Sequence, residues 1–160
     1  MSDTEYDVIV AGYGPVGETC ANLLGYYGIK ALILDKEKET YPLPRAITWD
    51  AECQRAMAHC NFLTEVKTRK IRGVDNKDAN KRSILKITMD GFDTYNYQHS
   101  ILFIHQPQFD QAHRENAKKY QTNTIRTGNE ILSVDQSDGV VNCSYKNICL
   151  LYTSDAADDA

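Results

Sequence analysis

Apolar residues near the start of the chain fall into two short runs separated by a helical pattern. The runs are Val8–Ala11 and Ala31–Leu34, each of strand length. Between them, apolar side chains recur at the three- and four-residue steps of one helical face: Val16, Cys20, Leu23 and Leu24. Pro15 suits the first turn of a helix, and Gly28 suits its end. The pattern predicts a strand–helix–strand unit from Tyr6 to Asp35.

Three glycines occupy the turn between the first strand and the helix. Gly12 allows the sharp turn, Gly14 lets backbone N–H groups approach a pyrophosphate, and Gly17 lets the helix pack against the sheet. The helix then begins at Pro15 and Val16, where unpaired N–H groups and the helix dipole stabilise an anion without any cationic side chain. The spacing predicts a dinucleotide-binding site; the alternative is a glycine-rich turn that binds nothing.

An acidic residue ends the second apolar run, eighteen residues after Gly17. This residue, Asp35, is placed to accept hydrogen bonds from the hydroxyls of an adenosine ribose. A carboxylate there disfavours a ribose 2′-phosphate, because the two negative groups would repel one another. We therefore expect the adenosine half of FAD or NAD, with Lys36 beside the same site. Glu18 lies one turn from the expected pyrophosphate, and we expect it to point outward as a helix-start acid.

Loops and helices continue the chain beyond Asp35. The charged, proline-marked segment 36–45 reads as a loop, and Asp50 is a good N-cap for a helix that runs to Cys60. A third helix follows Gln106, with one face formed by Phe109, Ala112, Asn116, Ala117 and Tyr120. The same spacing puts Asp110, Arg114, Glu115 and Lys118 elsewhere on that helix.

Short strands surround the third helix. Before it, the pattern predicts strands at 84–89 and 101–104, with a turn at Asp90-Gly91 after the first of them. After it, strands are expected at 124–126, 130–134 and 140–145, with residues 137–139 as a hairpin turn. No internal repeat or low-complexity linker interrupts the 160-residue sequence, which fits one ordinary domain.

Composition narrows the class of protein. With 42% hydrophobic residues the chain can form a core, and a net charge of −4 gives no general attraction to nucleic acid or to an anionic membrane. No apolar stretch is long enough to span a bilayer, and we expect a soluble, cytoplasmic protein. The five cysteines and four histidines show no metal-ligand spacing, and no nucleophilic triad is indicated. We expect no metal site.

Segments along most of the chain resemble the single-component aromatic hydroxylases, flavoprotein monooxygenases related to para-hydroxybenzoate hydroxylase. They are most similar to the 3-(3-hydroxyphenyl)propionate hydroxylases within that family. The matching segments are 10–17, 21–25, Pro44-Arg45-Ala46-Ile47, Asp50-Ala51-Glu52 with Arg55 and Met57, and Phe103-Ile104-His105-Gln106-Pro107-Gln108. The first motif is shared by many FAD and NAD proteins, whereas the Pro-Arg-Ala and Gln-Pro-Gln segments are more discriminating.

The resemblance implies an α/β fold: a Rossmann-like FAD-binding domain with three layers, a parallel sheet and a β-meander, here truncated. It implies that Gly12, Gly14 and Gly17 hold the FAD pyrophosphate and Asp35 the ribose. Arg45 would lie beside the flavin chain and pyrophosphate, where its planar, permanently charged fork can donate to phosphate. Gln106 would hydrogen-bond the ribityl or diphosphate portion. An exposed loop arginine and a helix-capping glutamine are the alternatives for the last two.

The resemblance also implies a reaction. A small phenolic or aromatic acid would be hydroxylated with NAD(P)H and dioxygen, the cofactor carrying the difficult step. No catalytic residue is assigned. Other enzymes of the same architecture remain open, namely a halogenase, an epoxidase or a reductase of isoprenoid chains. A non-catalytic dinucleotide-binding or sensor domain is a further alternative.

The end of the chain resembles translated adapter DNA. Residues 149–159 are similar to one reading frame of a transposase mosaic-end sequencing adapter. We therefore expect residues 1–148 to be a partial FAD-binding domain, inactive alone, and residues 149–160 to be an adapter-derived tail. The alternative is an ordinary acidic, frayed C-terminus.

Overall fold

The computed structural model describes residues 5–60, 66–88 and 101–148 of the chain. These residues form two compact units. The first contains the described residues up to Tyr41 and those from His113 onward, and the second contains those between Pro42 and Ala112. In chain order the elements are β1 (Val8–Ala11), α1 (Pro15–Tyr26), β2 (Ala31–Asp35), β3 (Ala46–Asp50), α2 (Ala51–His59), β4 (Thr68–Lys70), β5 (Gly73–Lys77), β6 (Ser83–Thr88), β7 (Ile101–His105), α3 (Gln106–Ala117), β8 (Asn123–Thr127), β9 (Asn129–Ser137) and β10 (Val140–Asn147).

A three-stranded parallel sheet forms the centre of the first unit. Its order is β1-β2-β8, so that β2 pairs on both edges, with Ile33 opposite Val10 on one side and Ile125 on the other. The first four residues of β2 are buried, as expected of a central strand in a parallel sheet. A core of Tyr13, Ala21, Ala31, Ile33 and Ala117 joins the sheet to α1 and the end of α3.

A β-hairpin completes the first unit. Strands β9 and β10 pair antiparallel from Asn129 to Asn147, longer than the sequence indicates. Asp138 and Gly139 have φ values of 52° and 78° and form a two-residue turn within the segment 137–139, where the sequence predicts a hairpin turn. Positive φ at both positions favours Asp, Asn and Gly, and for this reason the sequence predicts the turn.

The second unit is built on antiparallel pairing. β7 lies between β3 and β4, while β5 and β6 form a separate hairpin. The N-terminus of α2 is capped by Asp50, whose Oδ1 accepts a hydrogen bond of 2.8 Å from the Cys53 N–H. The core of this unit lies among buried apolar residues from β3, α2, β7 and α3: Trp49, Met57, Leu102, Ile104 and Phe109.

The observed elements confirm the predicted α/β architecture and its parallel sheet. The strand–helix–strand unit and the capped second helix lie where the sequence places them. The third helix also begins as predicted, but it ends at Ala117, so Tyr120 lies beyond it. Three strands were not predicted, namely β3, β4 and β5. The expected turn at Asp90-Gly91 and the segment 149–160 lie outside the described residues. No helix in the described ranges has the length and apolar character needed to cross a bilayer.

Candidate dinucleotide-binding site

The glycine loop lies at the carboxyl ends of β1 and β2 in the first unit. Gly12 has φ +98°, a backbone conformation that favours glycine, and its N–H donates to the Leu34 carbonyl at 2.7 Å. Gly14 is the N-cap of α1 and no side chain caps that end of the helix. The first N–H groups of a helix have no partner within it, so this end of α1 is suited to an anion.

Space around the loop fits a bound pyrophosphate. A Cβ added at Gly17 would lie 2.0 Å from the Gly12 carbonyl oxygen, so α1 packs directly against the turn. A Cβ added at Gly14 would meet nothing within 4 Å, and Gly14, Pro15 and Val16 are all exposed. The backbone is therefore open at the start of α1, where the sequence predicts that a phosphate approaches.

The Asp35 carboxylate ties β2 to the same loop. Its Oδ2 accepts a hydrogen bond of 2.9 Å from the Tyr13 N–H, and its Oδ1 accepts one of 3.0 Å from the Glu37 N–H. Each carboxylate oxygen has a second lone pair and can accept a further bond, such as one from a ribose hydroxyl. Lys36 is exposed next to it, with its Nζ 4.0 Å from a Glu37 carboxylate oxygen. Contacts of Asp35 and Lys36 with a cofactor remain predictions.

Glu18 is buried and does not point outward, so that expectation was wrong. Its side chain is fully enclosed, and its Oε1 accepts a hydrogen bond of 2.8 Å from Arg114 Nε. Burial raises the pKa of the Glu18 carboxyl to about 7, although the Arg114 guanidinium opposes the rise. The inward orientation is explained by this pairing, because the Arg114 guanidinium on α3 donates to one oxygen of the carboxylate and opposes its charge.

The guanidinium of Arg114 links several groups around the loop. It donates through Nη2 to the Tyr13 carbonyl, lies 3.5 Å from Asp35 Oδ2, and stacks over the Tyr13 ring at 4.6 Å from its centroid. Its side chain is 12% exposed. Helical periodicity placed Arg114 away from the packed face of α3, because charged residues are ordinarily exposed. Glu18 was an unexpected residue so close to a site for an anion, but the sequence did not indicate that it would pair with Arg114.

Buried polar contacts join α1 to α3 beside this cluster. Asn22 Nδ2 donates to the carbonyls of Glu18 and His113, and its Oδ1 accepts a hydrogen bond of 2.6 Å from Asn116 Nδ2. The His113 ring is fully buried, with Nδ1 3.7 Å from Glu18 Oε2. These contacts fix the two helices next to the loop, and the sequence did not indicate that His113 would be buried.

Two predicted site residues belong to the second unit. Arg45 lies in the loop before β3 and lines a surface depression with, among others, Lys67, Arg69 and His105. Gln106 begins α3, is mostly buried, and donates from Nε2 to Asp110 Oδ2 at 3.3 Å. Its buried Oε1 has no hydrogen-bond partner among the residues described, which leaves an acceptor for a ligand. Their roles toward FAD remain predictions.

Comparison with known proteins gives the family. The sequence model described as the FAD binding domain matches residues 5–148. The glycine loop fits this cofactor, since it offers an open helix N-terminus and a nearby acid for a dinucleotide.

Individual relatives are similar over most of the chain. It is 27% identical over 151 residues to a 3-(3-hydroxy-phenyl)propionate/3-hydroxycinnamic acid hydroxylase from Comamonas testosteroni, covering 91% of this chain and 25% of that protein. It is 29% identical over 135 residues to a "Probable NADH-specific resorcinol 4-hydroxylase" from Rhodococcus jostii, covering 83% and 25%. The chain thus spans about a quarter of the length of these relatives.

A solved structure shows the same fold. The crystal structure of p-nitrophenol 4-monooxygenase from Pseudomonas putida DLL-E4 superposes with a TM-score of 0.74 at 22% identity, covering 93% of this chain and 38% of that one. The fold, the open glycine loop and the family match agree. The chain belongs to the FAD binding domain family.

Proposed function

We propose that these residues are the cofactor-binding part of a flavoprotein monooxygenase that hydroxylates a small phenolic or aromatic acid with NAD(P)H and dioxygen. The observation that carries the proposal is the glycine loop, open at Gly14 and closed against the sheet at Gly17. That geometry suits a diphosphate approaching the main chain at the start of α1.

Each predicted residue has a defined part in holding FAD. The N–H groups at the start of α1 would bind the pyrophosphate, and Asp35 would accept hydrogen bonds from the ribose. Lys36 and Arg45 would add positive charge near the diphosphate, and Gln106 would hydrogen-bond the flavin side of the cofactor. When bound, the reduced flavin activates dioxygen for transfer to the aromatic ring, and the protein supplies orientation and a water-poor site.

The names of the relatives support a phenolic substrate. One acts on 3-(3-hydroxyphenyl)propionate, another is named for resorcinol, and the structural neighbour is named for p-nitrophenol. These three compounds share a hydroxyl group on an aromatic ring. The resorcinol enzyme is named NADH-specific, which supports a nicotinamide co-substrate. Because nicotinamide nucleotides are supplied inside the cell, we place the reaction in the cytoplasm.

Expression from the uninterrupted natural coding sequence tests the proposal. We expect a yellow protein with flavin absorbance and oxidation of NADH or NADPH that a phenolic acid accelerates. Gly14→Val should lose the flavin, because its side chain fills the space where the phosphate approaches. Val16→Ala is the matched control, since it changes an exposed side chain in the first turn of α1 and keeps the backbone N–H.

Three outcomes would contradict the proposal. Normal flavin content in Gly14→Val would place the cofactor elsewhere. Tight retention of NAD without flavin would indicate a dehydrogenase instead. A natural stop codon close to residue 160, together with absence of turnover, would favour a non-catalytic dinucleotide-binding domain.

A further inference from the structure

The backbone of Tyr13, in the middle of the glycine loop, is held on both sides. Its N–H donates to Asp35 Oδ2 at 2.9 Å, and its carbonyl oxygen accepts a hydrogen bond from Arg114 Nη2. The first contact fixes the Gly12–Tyr13 peptide plane and the second fixes the Tyr13–Gly14 plane. Asp35 of β2 and Arg114 of α3 therefore fix the orientation of the two peptide groups on either side of Tyr13.

Fixing the Tyr13 carbonyl also fixes the next N–H. In a trans peptide the carbonyl and the following N–H point in opposite directions. A donor on the Tyr13 oxygen therefore directs the Gly14 N–H away from Arg114. Gly14 is exposed, and an added Cβ there would meet nothing within 4 Å, so a ligand can reach this part of the loop.

Arg114 is held in place by a carboxylate on α1. Its Nε donates to Glu18 Oε1 at 2.8 Å while its Nη2 reaches the loop and Asp35. An arginine fork can serve several acceptors at fixed angles, which a lysine ammonium does less well. The guanidinium thus connects the first turn of α1, the glycine loop and the end of β2.

Stability alone does not explain the buried pair. Replacing a buried ion pair by apolar side chains of similar size is often neutral or stabilising. Burying an ionised carboxylate also costs free energy unless the charge is paired and hydrogen-bonded. What the pair adds is orientation, because Glu18 fixes the guanidinium that contacts the Tyr13 carbonyl.

We propose that Arg114 is a positioning residue of the dinucleotide site: held by Glu18, it orients the Tyr13–Gly14 peptide so that the Gly14 N–H donates to the FAD diphosphate. This inference rests on the proposed function, since it names FAD as the ligand of the loop. It adds a role for two residues outside the glycine motif.

A double variant separates positioning from structural stabilisation. Arg114→Met alone leaves the Glu18 carboxyl buried without its partner, so its folding can suffer. Glu18→Gln combined with Arg114→Met removes both charges and tests the loop in a protein with no buried unpaired ion. Lys118→Met is the control, because it removes an exposed cation just after the end of α3.

The dissociation constants for FAD and for ADP are measured on protein made from the uninterrupted coding sequence, together with the thermal unfolding midpoint. We expect the double variant to unfold near the wild-type temperature while it binds both ligands about tenfold or more weakly, which corresponds to about 1.4 kcal/mol. ADP and FAD should lose affinity by the same factor, because both carry the diphosphate. Arg114→Lys should recover part of the loss, and Lys118→Met should bind as wild type does.

A double variant that binds FAD as tightly as wild type would overturn the inference, since charge balance alone would then explain the pair. A double variant that fails to fold would overturn it as well, because the role would be structural. Wild-type protein that binds ADP but not FAD would refute the proposed function. In that case the dissociation constants for ADP of the wild type and the variants still test whether Arg114 positions the loop.

Discussion

A Cβ added at Gly17 would lie 2.0 Å from the Gly12 carbonyl oxygen. This contact joins the first turn of α1 to the residue that leaves β1, and only a hydrogen atom fits between them. The obstacle is backbone, which cannot rotate away as a flexible side chain could. The helix N-terminus is therefore held at one distance from the sheet, and the open face at Gly14 is a consequence of that position.

Alanine substitutions at two glycines of this loop should affect different properties: Gly17→Ala the stability, and Gly14→Ala the binding of FAD. Gly17→Ala forces α1 away from β1, and we expect it to lower the free energy of unfolding by about 1–3 kcal/mol. Gly14→Ala should leave the free energy of unfolding of the apo protein nearly unchanged, because φ is −86° and nothing lies within 4 Å. It should still weaken FAD binding, since the methyl group occupies the approach to the amide. Urea unfolding and FAD titration measure the two effects, and equal stability loss in both variants would contradict the geometry.

Two substitutions of Asp35 should lower the free energy of unfolding by different amounts. Asp35→Ala removes the acceptor of both the Tyr13 and Glu37 N–H groups, and we expect a loss of about 2 kcal/mol in the free energy of unfolding. Asp35→Asn keeps one acceptor oxygen, so it should lose roughly half as much. FAD affinity should fall in both. Unfolding curves of the alanine variant that match those of wild type would show that these hydrogen bonds contribute little.

Local patterns were sufficient to predict the unit that carries the site. The apolar runs of β1 and β2 and the glycine spacing indicate a strand, a turn and a helix without any distant contact. Strands β4 and β5 gave no such signal, because their residues Thr68–Lys70 and Gly73–Lys77 are largely polar and exposed. β4 pairs with β7 far along the chain, and such pairing depends on tertiary context rather than on local preference.

The Glu18–Arg114 contact could not be read from the sequence for a related reason. The two residues are 96 positions apart, and each belongs to a helix whose pattern is consistent with an exposed charge. Which polar residues of α3 face α1 is set by the packing of Asn22 against Asn116 and by the position of Ala117 in the core. Sequence periodicity located α3, but it did not determine this pairing.

The stability of the protein should depend on pH through Glu18. Burial raises the pKa of this carboxyl from its ordinary value of 4.5 to about 7. The folded state therefore binds its proton more tightly than the unfolded state does. The resulting stabilisation is complete below about pH 4.5 and is lost as the pH rises through about 7. The change amounts to at most about 3 kcal/mol.

Glu18→Gln should remove this dependence. The charged and titratable groups near the carboxyl are Arg114 and His113 of α3 and, in the loop and at the end of β2, Tyr13 and Asp35. All of them are retained in the variant. Urea unfolding at pH 5 and pH 8 should show that the variant gains stability relative to wild type at the higher pH. Glu115→Gln, which changes an exposed acid on α3, is the control. A difference between variant and wild type that does not change with pH would contradict the raised pKa.

Because α1 packs against Tyr120, the effect of Gly25→Ala on the free energy of unfolding should depend on whether the Tyr120 ring is present. A Cβ added at Gly25 would lie 2.5 Å from Cγ of the Tyr120 ring, so Gly25→Ala should lower the free energy of unfolding by about 1–3 kcal/mol. In a Tyr120→Ala background the space is free, and the same change should raise it by up to about 1 kcal/mol, because alanine favours a helix over glycine. Denaturant unfolding of the four proteins in a double-mutant cycle measures the coupling. If Gly25→Ala has the same effect in both backgrounds, the close contact between α1 and Tyr120 does not exist in solution. A reversal of sign would instead show that this ring sets how closely α1 lies against the end of α3, and with it the position of the helix that carries the glycine loop.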